Sequence, residues 1–199
     1  MLWGWVQDFP KGKGWNGCLT LPRRLGIASD GALIQSPIPE LEKLRGEGRV
    51  DGNLAVTEEK VLPFVKGDAL EISATIKRGT AEEVGLKLRR FADGKKAIPI
   101  SYNGKTLHVA GLDVPFTPAF GEDALGLHIF LDHSVLEVYA DDGRVGITRV
   151  LNAAPAPEGH GVAQGVAVFA RGGQAEFTFL RTWQMKSIRK DKIGEASNE

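Results

Sequence analysis

Side chains able to do chemistry are few in this sequence, and they fall on segments with a strong hydrophobic pattern. Asp132 and Glu137 are the most conspicuous acids. Two carboxyls close together could share general acid and base work. Their setting gives them other tasks: Asp132 stands where an Asx residue caps a turn, and Glu137 stands on the polar side of a strand, facing solvent or an arginine across the strands. The histidines, His108, His128, His133 and His160, show no metal-ligand spacing; His128 and His133 straddle one turn, but two imidazoles without a third ligand make a poor zinc site. No glycine-rich phosphate loop and no Gly-x-Ser-x-Gly elbow occurs. Arg23-Arg24 and Lys87-Arg89-Arg90 are short basic clusters balanced by acids nearby and read as solvated strand faces. No catalytic residue, metal ligand or cofactor site is assigned.

The elements carrying these residues are strands. From Leu127 to Leu151, Leu127, Ile129 and Leu131 alternate with His128 and Phe130, Asp132-His133-Ser134 turns the chain, and Leu136, Val138 and Ala140 alternate with Val135, Glu137 and Tyr139. Asp141-Asp142-Gly143 turns it again into Val145 and Ile147, completing a half-buried meander. Upstream, Leu70, Ile72, Ala74 and Ile76 oppose Glu71, Ser73, Thr75 and Lys77, and Val84, Leu86 and Leu88 oppose Gly85, Lys87 and Arg89. Asn103-Gly104 signals a type I′ hairpin between strands near Ile98–Tyr102 and Thr106–Val109. A last hairpin joins Gly161–Arg171 to Ala175–Trp183, and Pro39 to Arg45 is the one helical candidate, with Pro first, Glu early and Lys and Arg late. The pattern predicts an all-β, two-sheet antiparallel β-sandwich, concanavalin- or jelly-roll-like, with one short helix.

Two stretches also carry a resemblance. Leu127 to Gly143 resembles the closing segment of glycoside hydrolase family 32, the invertase, levanase and inulinase group, whose C-terminal β-sandwich has a line close to L-x-I-F-x-D-x-S-x-x-E-V-F-x-x-D-G. Gly14-Trp15-Asn16-Gly17, Leu19-Thr20-Leu21-Pro22-Arg23, Asp30-Gly31, Leu33, Gln35-Ser36-Pro37 and Glu40-Leu41 to Leu44-Arg45 resemble that family's linker. Met1-Leu2-Trp3-Gly4-Trp5-Val6 resembles the strand that ends the last blade of its catalytic propeller. The resemblance implies residues 1–15 as a residual propeller strand and loop, 16–185 as the sandwich and 186–199 as a polar tail.

The family's acidic motifs, N-D-P-N-G, R-D-P and E-C, are absent: Asp113 precedes Val114-Pro115, Asp141 precedes Asp142, and Cys18 follows Gly17. Retaining glycoside hydrolysis needs two carboxyls about 5–5.5 Å apart, and no residue here inherits either role. The expected function is a non-catalytic sandwich module with a structural or oligomerisation role. Two alternatives stand beside it: a free-standing carbohydrate-binding module, and the C-terminal part of a β-fructofuranosidase active only with its propeller.

Trp3 and Trp5 share one strand face by parity, and leaving both rings in water would forfeit on the order of 10 kcal/mol. A propeller domain or separate propeller chain, a second copy of this chain, or the sandwich itself is expected to cover them. An unpaired first strand would also offer a free edge for strand addition. Trp15, in a glycine-flanked loop, is a candidate platform for a fructan or another glycan, with packing at the domain junction as the competing reading.

Composition bounds the remaining classes. The 199 residues suit one sandwich, able to bury roughly 70% of the unfolded surface. Twenty-five basic and 25 acidic residues cancel, so no net field draws nucleic acid or anionic lipid. One cysteine excludes an internal disulfide, and no apolar run is long enough to cross a bilayer. Leu2 to Val6 is too short for a signal-peptide core, so the sequence as written reads as cytoplasmic, an inference that lapses for a piece of a larger protein.

Overall fold

The computed structural model describes residues 1–12, 14–119, 121, 124–151 and 165–188. Its N-terminal part is a ribbon of β1 (Trp5–Val6), β2 (Cys18–Leu19), β3 (Arg23–Ile27) and β4 (Leu33–Pro37). β1 pairs with β2, β3 pairs with β4, and a bridge from Leu2 to Arg23 ties the first residues to the start of β3. The first strand is therefore paired along one edge, which corrects the expectation of a wholly unpaired strand. Next comes a 3₁₀ helix, Pro39–Leu44, where the sequence predicts a helix; a second 3₁₀ turn, Asp141–Gly143, lies at the predicted Asp-Asp-Gly turn. Six residues offer few i→i−4 hydrogen bonds to repay nucleation, and the tighter turn satisfies Arg45 N–H on the Glu42 carbonyl.

The sandwich follows. It is built from β5 (Arg45–Asp51), β6 (Leu54–Val56), β7 (Lys60–Lys66), β8 (Ala69–Lys77), β9 (Glu83–Arg90), β10 (Ile98–Tyr102), β11 (Thr106–Val109) and β12 (Leu112–Pro115). It closes with β13 (Ala124–Asp132), β14 (Val135–Ala140), β15 (Val145–Val150), β16 (Gly165–Arg171) and β17 (Ala175–Met185). One sheet has the order β12-β11-β10-β9-β16-β7; the other runs β15-β14-β13-β8-β17-β5, with β6 also on β17. Every pairing is antiparallel. The predicted meander is β13-β14-β15, in the register Ile129↔Val138↔Ile147.

The core lies between the sheets, where alternation predicts it. Leu70, Ile72, Ala74 and Ile76 face Val84, Leu86 and Leu88 within one buried cluster that includes Ile100, Leu107, Val138 and Phe177. At the β10–β11 hairpin the central residues are Gly104 and Lys105, one place later than the Asn-Gly signal implies. Only Gly104 has positive φ, as in a II′ turn, and Asn103 instead accepts the N–H groups of Lys105 (3.0 Å) and Thr106 (2.8 Å) through Oδ1. Residues 161–164 of the last predicted hairpin, His160 and most of the polar tail lie outside the described residues. Among the described residues no helix is long and apolar enough to cross a membrane.

Candidate functional site

The outer face of the larger sheet is where the polar residues converge, because its strands alternate and their odd or even members must leave the core. Strand register aligns Trp183, Glu71, Phe130, Glu137 and Thr148 in one row across β17, β8, β13, β14 and β15. The linker from Thr20 to Arg45 roofs this row. Its Leu21, Ile38, Leu41 and Leu44 pack with Phe130, Tyr139 and Met185 into a second, smaller core.

Two glutamates pin that roof. Glu137, 2% exposed, accepts Arg23 Nη2 at 2.6 Å, the Tyr139 hydroxyl at 2.6 Å and the Leu21 backbone N–H at 2.6 Å. Arg23 Nη2 also reaches Thr148 Oγ1 at 2.7 Å. Burial, and then the Glu137 carboxylate, push the Tyr139 phenol well above its usual range, so it stays a donor. Glu71, 1% exposed, accepts Arg45 Nε at 2.8 Å and Nη2 at 2.6 Å in a bidentate fork, and meets His128 Nε2 at 2.7 Å. The Arg45 guanidinium lies 3.9 Å from the Trp183 ring centroid. Burial pushes the Glu71 carboxyl up, but the hydrogen bonds from Arg45 and His128 outweigh it and hold the group below its ordinary value.

That depression has a consequence for acid stability. A carboxylate with a lowered folded pKa stabilises the fold above its unfolded value, and the contribution disappears as pH falls through the folded value. Glu71→Gln is therefore expected to flatten the loss of stability as pH falls below the ordinary glutamate range, measured by urea unfolding at each pH.

Glu71 and Glu137 flank Phe130 two strand spacings apart, roughly 10 Å between Cα atoms, each committed to its own arginine. Asp132, the acid predicted beside Glu137, is exposed at the strand end and does not cap its turn. Asp68 does that work instead: its carbonyl accepts the His133 N–H and its Oδ2 contacts His133 Nδ1 at 2.8 Å. His128 and His133 are thus held apart on separate carboxylates, and His108 is on Asp113. Among the described residues no group of three or more His, Cys, Asp or Glu is gathered to hold a metal.

The basic clusters have acids beside them, as expected, but one member is not solvated. Arg23 is buried rather than solvated, while Lys87 and Arg90 share Glu59 and Arg89 donates to the His133 carbonyl. The partners of Glu137 and Glu71, Arg23 and Arg45, were legible only as members of a linker motif. Nothing in a local pattern pairs residues 114 positions apart, as Arg23 and Glu137 are.

Three of the four tryptophans, Trp3, Trp5 and Trp15, lie in the N-terminal part. Trp3 is 47% exposed and Trp5 58%, so the sandwich itself does not cover them. Met1, Leu2, Leu19, Leu25, Ile27 and Leu33 are also exposed there, so most of the large exposed hydrophobic side chains among the described residues lie in the N-terminal part. Beside Trp5, a cleft of about 460 Å³ opens between the first strand and β15, lined by Asp8, Thr20, Arg23, Thr148 and Arg149. The Arg149 Nε is buried without an acceptor among the described residues. Trp15 is 49% exposed and meets Phe9 edge-on at 4.7 Å; it lines none of the clefts described here.

Comparison with known proteins agrees with this architecture. Residues 40–184 match the family described as glycosyl hydrolases family 32 C terminal. The chain is 30% identical to a levanase of Bacillus subtilis over 171 residues, covering 75% of this chain and 25% of that protein. It is 31% identical to a sucrose-6-phosphate hydrolase of Escherichia coli over 189 residues, covering 91% and 38%. In fold it superposes on fructan 1-exohydrolase IIa of Cichorium intybus with a TM-score of 0.73 at 18% identity, over 93% of this chain and 44% of that one. The chain thus spans less than half the length of these relatives. By that match over most of its length, the chain belongs to glycosyl hydrolase family 32, whose C-terminal β-sandwich domain it carries.

Proposed function

We propose that this chain is a non-catalytic β-sandwich module that braces a fructan- or sucrose-cleaving propeller through its N-terminal ribbon. The observation that carries this reading is the ribbon's exposed apolar surface, centred on Trp3 and Trp5 and backed by the family match. Soluble proteins seldom leave a contiguous apolar patch uncovered unless a partner meets it. Tryptophan and arginine are also the side chains that most often dominate such interfaces, and Arg149 lacks an acceptor at the adjoining cleft.

The buried Arg23–Glu137 and Arg45–Glu71 pairs fit the same role, since they fix the linker against the sheet and so set the angle at which the ribbon is presented. A second copy of the chain is the other occupant this surface could take. Both glutamates are consumed by these ion pairs, so hydrolysis is assigned to the propeller. Incubating the purified chain with sucrose, inulin and levan is expected to release no fructose above the uncatalysed rate. Release at an enzymatic turnover, on the order of 1 per second or faster, would overturn the proposal.

A further inference from the structure

The linker roofs only part of the larger sheet's outer face, and the part it leaves open is a built groove. One row further along the same face, Arg181, Ser73, His128 and Tyr139 lie side by side, and the row after that places Phe179, Thr75 and Gly126 together. The groove has a volume of about 260 Å³; Ser36 and Pro37 of the linker and Asp142 wall it on one side. Ser73, Thr75, Gly126 and His128 form its floor.

Three properties of this floor call for a ligand. First, Gly126 lies inside a nine-residue strand, with no positive φ, and a Cβ built there meets no heavy atom within 4 Å. Neither backbone conformation nor packing needs glycine at this position, and glycine weakens a strand. What remains is room for something to approach the sheet closely. Second, the hydroxyls of Ser73 and Thr75 make no hydrogen bond among the described residues, and neither does His128 Nδ1, whose partner nitrogen is held by Glu71. These are fixed donor and acceptor groups aimed off a rigid sheet. Third, the neighbouring strand sets an aromatic residue opposite Thr75, outside the groove's own lining: Phe179 is 38% exposed, and Arg181 on the same strand is held 4.7 Å from the Trp183 ring centroid.

The geometry points to a binding site for a neutral saccharide of one or two rings. Hydroxyl and imidazole groups spaced along strands match the ring hydroxyls of a sugar, and an exposed phenyl ring covers its C–H face. Asp142, on the wall, is the one acid among the lining residues, and the floor itself carries none. The groove is walled by Ser36 and Pro37 of β4 but shares no lining residue with the cleft beside Trp5, so the inference does not depend on a propeller partner at the tryptophans.

Titration of the isotope-labelled chain with sucrose and with short inulin-type and levan-type oligosaccharides, read by amide chemical shifts, tests it. Saturable shifts are expected at residues of β8, β13 and β17 that face outward, with at least one of these sugars. Gly126→Val should weaken binding at least tenfold while raising the thermal midpoint by about 1–4 °C, because a β-branched side chain suits the strand and finds open space. Ser73→Ala should weaken it several-fold, and Trp15→Ala should leave it unchanged. Absence of saturable shifts with every sugar, shifts undiminished in a folded Gly126→Val variant, or shifts abolished by Trp15→Ala would each overturn the assignment.

Discussion

Replacing Glu137 with alanine is expected to lower the unfolding free energy by about 3–5 kcal/mol, the usual cost of stranding one partner of a buried ion pair. The side chain collects three donors at 2.6 Å: Arg23, the Tyr139 hydroxyl and the Leu21 N–H. Its removal takes the shared acceptor from all three in a largely buried site, beside an Arg23 Nε that already lacks an acceptor among the described residues. Urea unfolding gives the number directly; at the scale of a domain this size the thermal midpoint should fall by roughly 6–20 °C. The double change Arg23→Met with Glu137→Leu removes both charges together and is expected to recover most of the loss, since apolar replacement of a buried pair is often neutral. Destabilisation by the double variant as large as that of Glu137→Ala would mean that shape at this junction matters more than charge.

The contrast between this pair and the strands around it shows what local pattern can reveal. Leu70, Ile72, Ala74 and Ile76 announce a buried face because the period of a strand is two, and the structure buries all four. The same rule places Glu71 and Glu137 on the opposite face, and there it stops. Whether that face meets water or a second layer depends on where the linker returns, and that is a matter of contacts across more than a hundred residues. The linker motif carried the information in a different form: it identified Arg23 and Arg45 as members of a family pattern without saying what they hold. The hairpin at Asn103 failed for a smaller reason. An Asn-Gly step suits positive φ at both residues, but Asn103 gains more by capping Lys105 and Thr106, so the turn advances by one residue. The outer groove left no periodic signature, because a serine, a threonine and a glycine on a strand's polar side look the same whether solvent or a ligand faces them.

The ribbon offers the second large effect. Against a family 32 propeller produced as a separate chain, Trp5→Ala is expected to weaken association by roughly 30-fold, the equivalent of about 2 kcal/mol for a tryptophan anchor at an interface centre. Trp5 is suited to that place because its ring is 58% exposed while lying over Gly17, where a Cβ would stand 2.6 Å from the indole; the ring is held in orientation before any partner arrives. An anchor fixed in this way loses little side-chain entropy on binding. Arg149→Ala should weaken association too, but with a different signature. If a carboxylate from the partner completes the unpaired guanidinium, the loss is seen mainly as faster dissociation. Sedimentation velocity of the chain alone separates the two occupants of the ribbon. Should Trp5→Ala dissolve a dimer of this chain and leave propeller binding unchanged, the ribbon is a self-association surface, and the sandwich must reach its propeller through another face.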